Sequence, residues 1–203
     1  MHLLVLSASA GTWRLFAARK ADPAFQQYCQ RVWERDSYTC QFCGFQAKQF
    51  QEVINLDGNY QNNKFPNMVT SCCFCTQCLF LEIVGKTDYG GGTLIYLSEL
   101  AQPDLNGLCH VLFCAIANAT NYHTDAQAIY RSFKARAKTV EEQLGEGMSN
   151  PALLGQVLID AQLKNKTAFS QELLKDLRLL PSRSKFSAQI ETWANAALNE
   201  MAG

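Results

Sequence analysis

Cys40-Gln-Phe-Cys43 and Cys72-Cys-Phe-Cys75 are the stretches whose reading decides the fold of this chain. Each places two thiols with two residues between them, and a long excursion separates the pairs. That is the spacing of a four-thiolate zinc signature: zinc takes four ligands in a tetrahedron, and a tight turn lets both thiolates of a pair reach one ion. Gly44 directly follows Cys43, where a knuckle turn wants a left-handed residue. The first pair, Cys40 and Cys43, is unambiguous. The second offers Cys72, Cys73, Cys75 and Cys78. Both Cys72/Cys75 and Cys75/Cys78 satisfy the spacing, while Cys73 points away from a Cys72/Cys75 grip. The competing reading is a set of buried free thiols. The spacing favours one structural zinc ion.

The rest of the composition fits a reducing compartment. Nine cysteines is an odd number, so a complete disulfide framework would leave a thiol over, and paired C-x₂-C spacing reads as metal ligation instead. The 203 residues suit one or two compact domains, and 48% hydrophobic residues exclude wholesale disorder. Eighteen basic residues balance eighteen acidic ones, whereas a dedicated nucleic-acid binder usually carries a basic excess. Met1 to Gly11 ends like a signal peptide, but it lacks a basic leading region and its apolar run is short. A buried first strand over His2–Ala8 is expected there. No stretch is long and apolar enough to span a bilayer. The chain reads as cytoplasmic, or as held at a membrane by partners.

The pattern predicts an α+β fold: a zinc-binding region with short strands over residues 1–100, then a mostly α-helical region over 101–203. Asp22-Pro23 opens a helix to about Arg35, with Phe25, Cys29, Val32 and Trp33 at helical spacing. Phe50–Leu56 reads as a strand and Asp57-Gly58-Asn59 as a turn. Pro66 to Ser71 reads as a tightly wound approach to Cys72. Leu79–Val84 and Gly92–Leu97 read as two strands joined through the glycines at 90–92. Leu105–Ala119 is apolar nearly all round, which implies a buried helix. Further helices are expected from a Thr124 cap to Leu144, from Asn150-Pro151 to Leu163, over Gln171–Leu180, and over Ser187–Met201.

The cysteine segment resembles the HNH nuclease pattern, a ββα-type zinc module. There, a knuckle C-x₂-C precedes Val-His-His-Ile-Asp-Gly-Asn, and Asn-Leu-Val-Thr-Leu-Cys-x₂-Cys-His follows. Here the stretches read Val53-Ile-Asn-Leu-Asp-Gly-Asn59 and Asn67-Met-Val-Thr-Ser-Cys-Cys-Phe-Cys-Thr76. The resemblance implies Cys40, Cys43, Cys72 and Cys75 as the ligand set. It also puts the pattern's histidines on Ile54, Asn55 and Thr76. Isoleucine can neither take a proton nor bind a metal, and asparagine has no useful basicity near neutral pH. His2, His110 and His123 all lie outside the module, and His110 falls in an apolar helix, where a core histidine is expected. The module reads as a nuclease framework without nuclease chemistry.

Over its whole length the chain resembles the IcmJ (DotN) family of the Dot/Icm type IVB secretion system. The resemblance rests on the histidine-poor zinc module followed by a helical half. It implies a cytoplasmic, non-enzymatic scaffold or adaptor subunit, recruited to the inner-membrane apparatus. Such a subunit would bind the C-terminal tail of the type IV coupling ATPase and support effector export. The alternative is a nucleic-acid-binding or residual HNH nuclease protein.

Other signals are weaker. Arg131, Lys134 and Lys138 share a helix face that reads as a solvated surface, with an acidic partner as the sharper option. Thioredoxin-like redox chemistry would need a βαβ pattern around one C-x₂-C, and two paired knuckles argue against it. Cys29, Cys109 and Cys114 read as core residues.

Overall fold

The computed structural model describes residues 1–86, 88–164 and 172–202. Helix α1 (Thr12–Lys20) leads into α2 (Pro23–Arg35), whose start follows the sequence rule closely. Asp22 caps it by accepting from the Ala24 amide, and Pro23 occupies the first turn, where no amide partner is lost. Val32 and Cys29 then face inward against Val53 and Met68.

The strand β1 (Gln51–Asn55) pairs antiparallel with β2 (Met68–Cys72), in a register running from Gln51 opposite Cys72 to Asn55 opposite Met68. Helix α3 (Cys73–Gln77) starts at once after β2, so β, β and α follow in sequence. A second two-stranded sheet joins distant parts of the chain: β3 (Gly92–Tyr96) pairs antiparallel with β4 (Leu177–Pro181). Between them lie α4 (Gln102–Ala117), α5 (His123–Ala135), α6 (Ala137–Leu144) and α7 (Pro151–Leu163), and α8 (Ser187–Ala202) closes the described chain. Asn150 caps α7 through the Ala152 amide, as its Asn-Pro start suggests. The fold is mixed α+β with a helical C-terminal half. One core cluster gathers Leu4, Phe80, Leu105 and Trp193 together with Cys40, Cys72 and Cys75.

Several expectations need correction. Residues 2–8 are extended but form no ladder. They alternate, with Leu4, Leu6 and Ala8 buried, and are held by His2 N–H on Gln41 O and Ser7 N–H on Cys78 O. The approach to Cys72 is the strand β2, after a 3-10 turn at Phe65–Asn67. Leu79–Val84 makes a 3-10 turn at Leu81–Ile83 in place of a strand. The cause is α7: a Cβ on Gly155 would stand 2.3 Å from Glu82 N, so only glycine lets the helix sit on that turn. Gly92 accordingly opens a strand whose partner is β4, far along the chain. The helix expected over Gln171–Leu180 begins outside the described residues and is helical over 172–174, but from Leu177 onward the chain is β4. The rhythm from Ala126 to Leu144 breaks at Arg136 into α5 and α6, and α5 begins at His123 without a side-chain cap.

Candidate metal centre

Two arms carry the paired cysteines. The first is a knuckle. Cys40 N–H donates to Phe45 O (2.8 Å) and Gly44 N–H to Cys40 O (3.0 Å), with Gly44 at φ 75°, the left-handed turn its position suggested. Gln41 N–H donates to Thr70 O, which lays the knuckle along β2. The second arm is the junction where β2 ends at Cys72 and α3 begins, so Cys75 lies in the first turn of a helix.

The arms bring the sulfurs of Cys40, Cys43, Cys72 and Cys75 within 4.8 Å of one another, a group that could hold a metal ion. Cys43 Sγ and Cys72 Sγ are 3.7 Å apart. Sulfurs at tetrahedral corners, each bonded to zinc at its usual length, stand about 3.8 Å apart, so the group fits one ion. Cys40, Cys72 and Cys75 are buried, and all nine cysteines are free thiols. Thiol contacts from Cys43, Cys72 and Cys75 hold the Cys40 sulfhydryl far below its ordinary value, whereas burial drives Cys72 and Cys75 well above theirs. Four buried thiols cannot all ionise side by side without a cation among them.

The neighbouring cysteines are engaged otherwise. Cys78 donates through Sγ to Phe74 O (3.2 Å), and burial pushes its thiol up to about 12. Cys73 is driven well up by burial, with Glu52 next among the causes. Cys29 packs in the smaller core, and burial lifts it to about 11.

The turn end of the same hairpin is built from amides. Asn55 is buried. Its Oδ1 accepts from Arg19 Nη1 (2.5 Å), and its Nδ2 donates to Asn59 O and Asn62 O, both at 2.8 Å. Asn67 Nδ2 donates to Asp57 Oδ1 (2.9 Å), and its Oδ1 accepts from Asp57 N–H. Ile54 is core, and Thr76 Oγ1 donates into Ser71 Oγ and Cys72 O. Arg19 sits over Phe25 and Tyr60 at 4.2 and 4.8 Å from their centroids, and burial lowers its pKa. The positions at which the nuclease pattern has histidines are thus filled by groups locked in structural contacts.

These arrangements can be set beside known proteins. No protein-family model matches the sequence. The type 4 apparatus protein DotN of Legionella pneumophila is 58% identical over 199 residues, covering 98% of this chain and 92% of that protein. The chain belongs to the DotN family. The resemblance to that family read over the whole chain is therefore correct, and the DotN match takes in nearly every residue of knuckle, hairpin and helical half.

The site has further members that the sequence reading passed over. His110 does lie in the core, but its Nε2 stands 3.3 Å from Cys72 Sγ. Burial pulls its imidazole down to about 3, which keeps it neutral. Asn106 Nδ2 donates to Cys75 Sγ (3.2 Å). The available signal was a polar stripe, Gln102, Asn106 and His110, at four-residue spacing on a helix that is otherwise apolar after Asp104. A buried stripe of that kind needs partners.

Proposed function

We propose that this chain is a zinc-stabilised, non-enzymatic adaptor subunit of a type IV secretion apparatus. The observation that carries the reading is the 58% identity to a type 4 apparatus protein over nearly the whole chain. In this reading Cys40, Cys43, Cys72 and Cys75 hold one structural zinc ion in an HNH-like ββα module. The order β1, β2, α3, with sulfurs at the knuckle and at the β2–α3 junction, supports it. Bound zinc fixes the two arms and supplies no reaction.

Absence of enzymatic activity is supported by the amide-locked turn end, where no imidazole stands ready to take a proton. The regions 1–100 and 101–203 act as one body, which the β3–β4 pairing and the shared core support. The partner is the C-terminal tail of the coupling ATPase, and through it the subunit supports effector export. A groove of about 540 Å³ between knuckle and α8, with Phe45, Trp193 and Ala197 on its apolar side and Gln46, Lys48 and Glu200 on its polar side, offers a surface for a peptide. The subunit works in the cytoplasm, recruited to the inner-membrane apparatus, and no helix among the described residues is long and apolar enough to cross a membrane.

The test is calorimetry with a synthetic peptide of the coupling ATPase C-terminal tail and the zinc-loaded full chain. Saturable one-to-one binding is expected, with no plasmid cleavage and no gel shift at low salt. Absent peptide binding, the partner assignment is wrong. Metal-dependent cleavage abolished by Asn67→Ala would overturn the non-enzymatic reading.

A further inference from the structure

Helix α4 comes from the region that carries none of the cysteines of the cluster, yet two of its side chains end on their sulfurs. We infer that α4 supplies the outer hydrogen-bond shell of the thiolate centre. Asn106 and His110 donate N–H bonds to Cys75 and Cys72, and Gln102 is the positioning residue that holds Asn106 in its donating orientation. The inference rests on the metal-centre reading above.

The orientation of Asn106 is fixed from outside the site. Leu179 of β4 donates its amide to Gln102 Oε1 (2.8 Å), and Gln102 Nε2 donates to Leu179 O (2.9 Å). Those two bonds settle which end of the Gln102 amide is nitrogen. The same Nε2 also donates to Asn106 Oδ1 (2.9 Å), which leaves Nδ2 of Asn106 facing Cys75 Sγ at 3.2 Å and Cys78 Sγ at 3.8 Å. Turning the Asn106 amide over would set nitrogen against nitrogen and oxygen against a thiolate. A continuous chain of bonds therefore runs from the β4 backbone through Gln102 and Asn106 to a sulfur of the cluster. All three side chains are buried or nearly so, with Gln102 4% and Asn106 0% exposed.

His110 is set by packing as well as by its bond. Its ring is stacked between Phe45 of the knuckle (3.6 Å between centroids, 3° between planes) and Phe74 of α3 (4.2 Å, 14°). Each cysteine arm thus contributes one wall of the slot. The ring edge meets Cys72 Sγ through Nε2, while Nδ1 is buried without a partner among the described residues. A metal-bound thiolate is an acceptor, so the proton belongs on Nε2.

The physical purpose follows from charge. Four thiolates around a divalent cation leave a net charge of −2 in a buried place, and N–H donors aimed at sulfur spread that charge and make the thiolates poorer nucleophiles. Outer-shell partners typically govern metal affinity by about 10–100-fold. Here they also link the metal to the β3–β4 sheet, so that the helical region is seated by the metal's own ligands.

His110→Phe keeps the three-ring stack and deletes the donor. Asn106→Leu keeps the volume and deletes the other. In the zinc-loaded full chain, both are expected to retain the wild-type circular dichroism. Zinc affinity, measured by competition with a chromogenic chelator, should fall about tenfold or more. The cadmium-113 resonance of the substituted protein should move, which a packing role alone would not cause. Unchanged affinity and an unmoved resonance in both variants would overturn the inference. Should the variants fail to fold, nitrogen-15 spectra of the zinc-loaded wild type decide: the Nε2–H tautomer of His110 is expected, and the Nδ1–H tautomer contradicts it. Wild-type protein without zinc would instead defeat the underlying metal reading, so the two failures are distinguishable.

Discussion

The two ends of the β1–β2 hairpin have been treated in opposite ways. At the end where Gln51 faces Cys72, four sulfurs converge. At the end where Asn55 faces Met68, the amides and the carboxylate are matched to one another: Asn55 to Arg19 and two carbonyls, Asn67 to Asp57, and Asp57 also to the amide of Asn62. The first end gathers ligands and the second satisfies itself. One end holds sulfurs placed where a single metal ion could join them, and the other ties its amides and a carboxylate into internal hydrogen bonds.

The comparison can be broken most forcefully at the cysteine end. Stripping metal with a strong chelator should unfold the chain, because the binding energy of a structural zinc, on the order of 10 kcal/mol, is folding energy. Loss of near- and far-ultraviolet dichroism checks it. Cys40→Ser, Cys43→Ser, Cys72→Ser and Cys75→Ser should each lose metal, while Cys78→Ser, whose sulfur donates to Phe74 O, should keep it in elemental analysis.

At the turn end the effects should be smaller and purely structural. Asn55→His removes the Oδ1 acceptor from buried Arg19, and hydrogen bonds to charged groups put the cost at about 2–3 kcal/mol in urea unfolding. Restoring histidines at 54, 55 and 76 together should cost more still, since Ile54 and Thr76 are fully packed, and should yield no plasmid cleavage. Cleavage by that variant would show that the turn end had stayed open to chemistry.

The smallest effect lies between the ends. Asp36, at the end of α2, accepts from Thr70 N–H of β2 and is paired with Arg35. Burial alone would raise its carboxyl, but Arg35 and the Thr70 amide outweigh that and hold it below the ordinary value. A depressed carboxylate stabilises the fold above its unfolded pKa, and the contribution is lost as pH falls through the folded value. Asp36→Asn should therefore cost about 1 kcal/mol at pH 7, and its deficit against the wild type should begin to shrink as pH falls below about 4 and vanish only below the depressed folded value.

How much of this the sequence reveals depends on whether a signal is local. The knuckle is local: two residues of spacing and a following glycine suffice, and the structure turns at Gly44 as expected. The caps at Asp22 and Asn150 are local too. Leu177–Pro181 is not. A short apolar run suits helix or strand equally, and what makes it β4 is the edge of β3, more than eighty residues earlier in the chain. Leu81–Ile83 likewise depends on Gly155 of a distant helix. In the site the cysteines were legible because their ligand geometry lies within one turn. Asn106 and His110 were not, because the sulfurs that explain them belong to another part of the chain.

The most direct measurement is zinc analysis of the purified full chain combined with X-ray absorption at the zinc edge. One zinc per chain, surrounded by four sulfurs at about 2.3 Å, is the expected result. A chain that folds without zinc, or a zinc shell containing nitrogen or oxygen in place of a sulfur, would contradict the four-thiolate centre on which the rest is built.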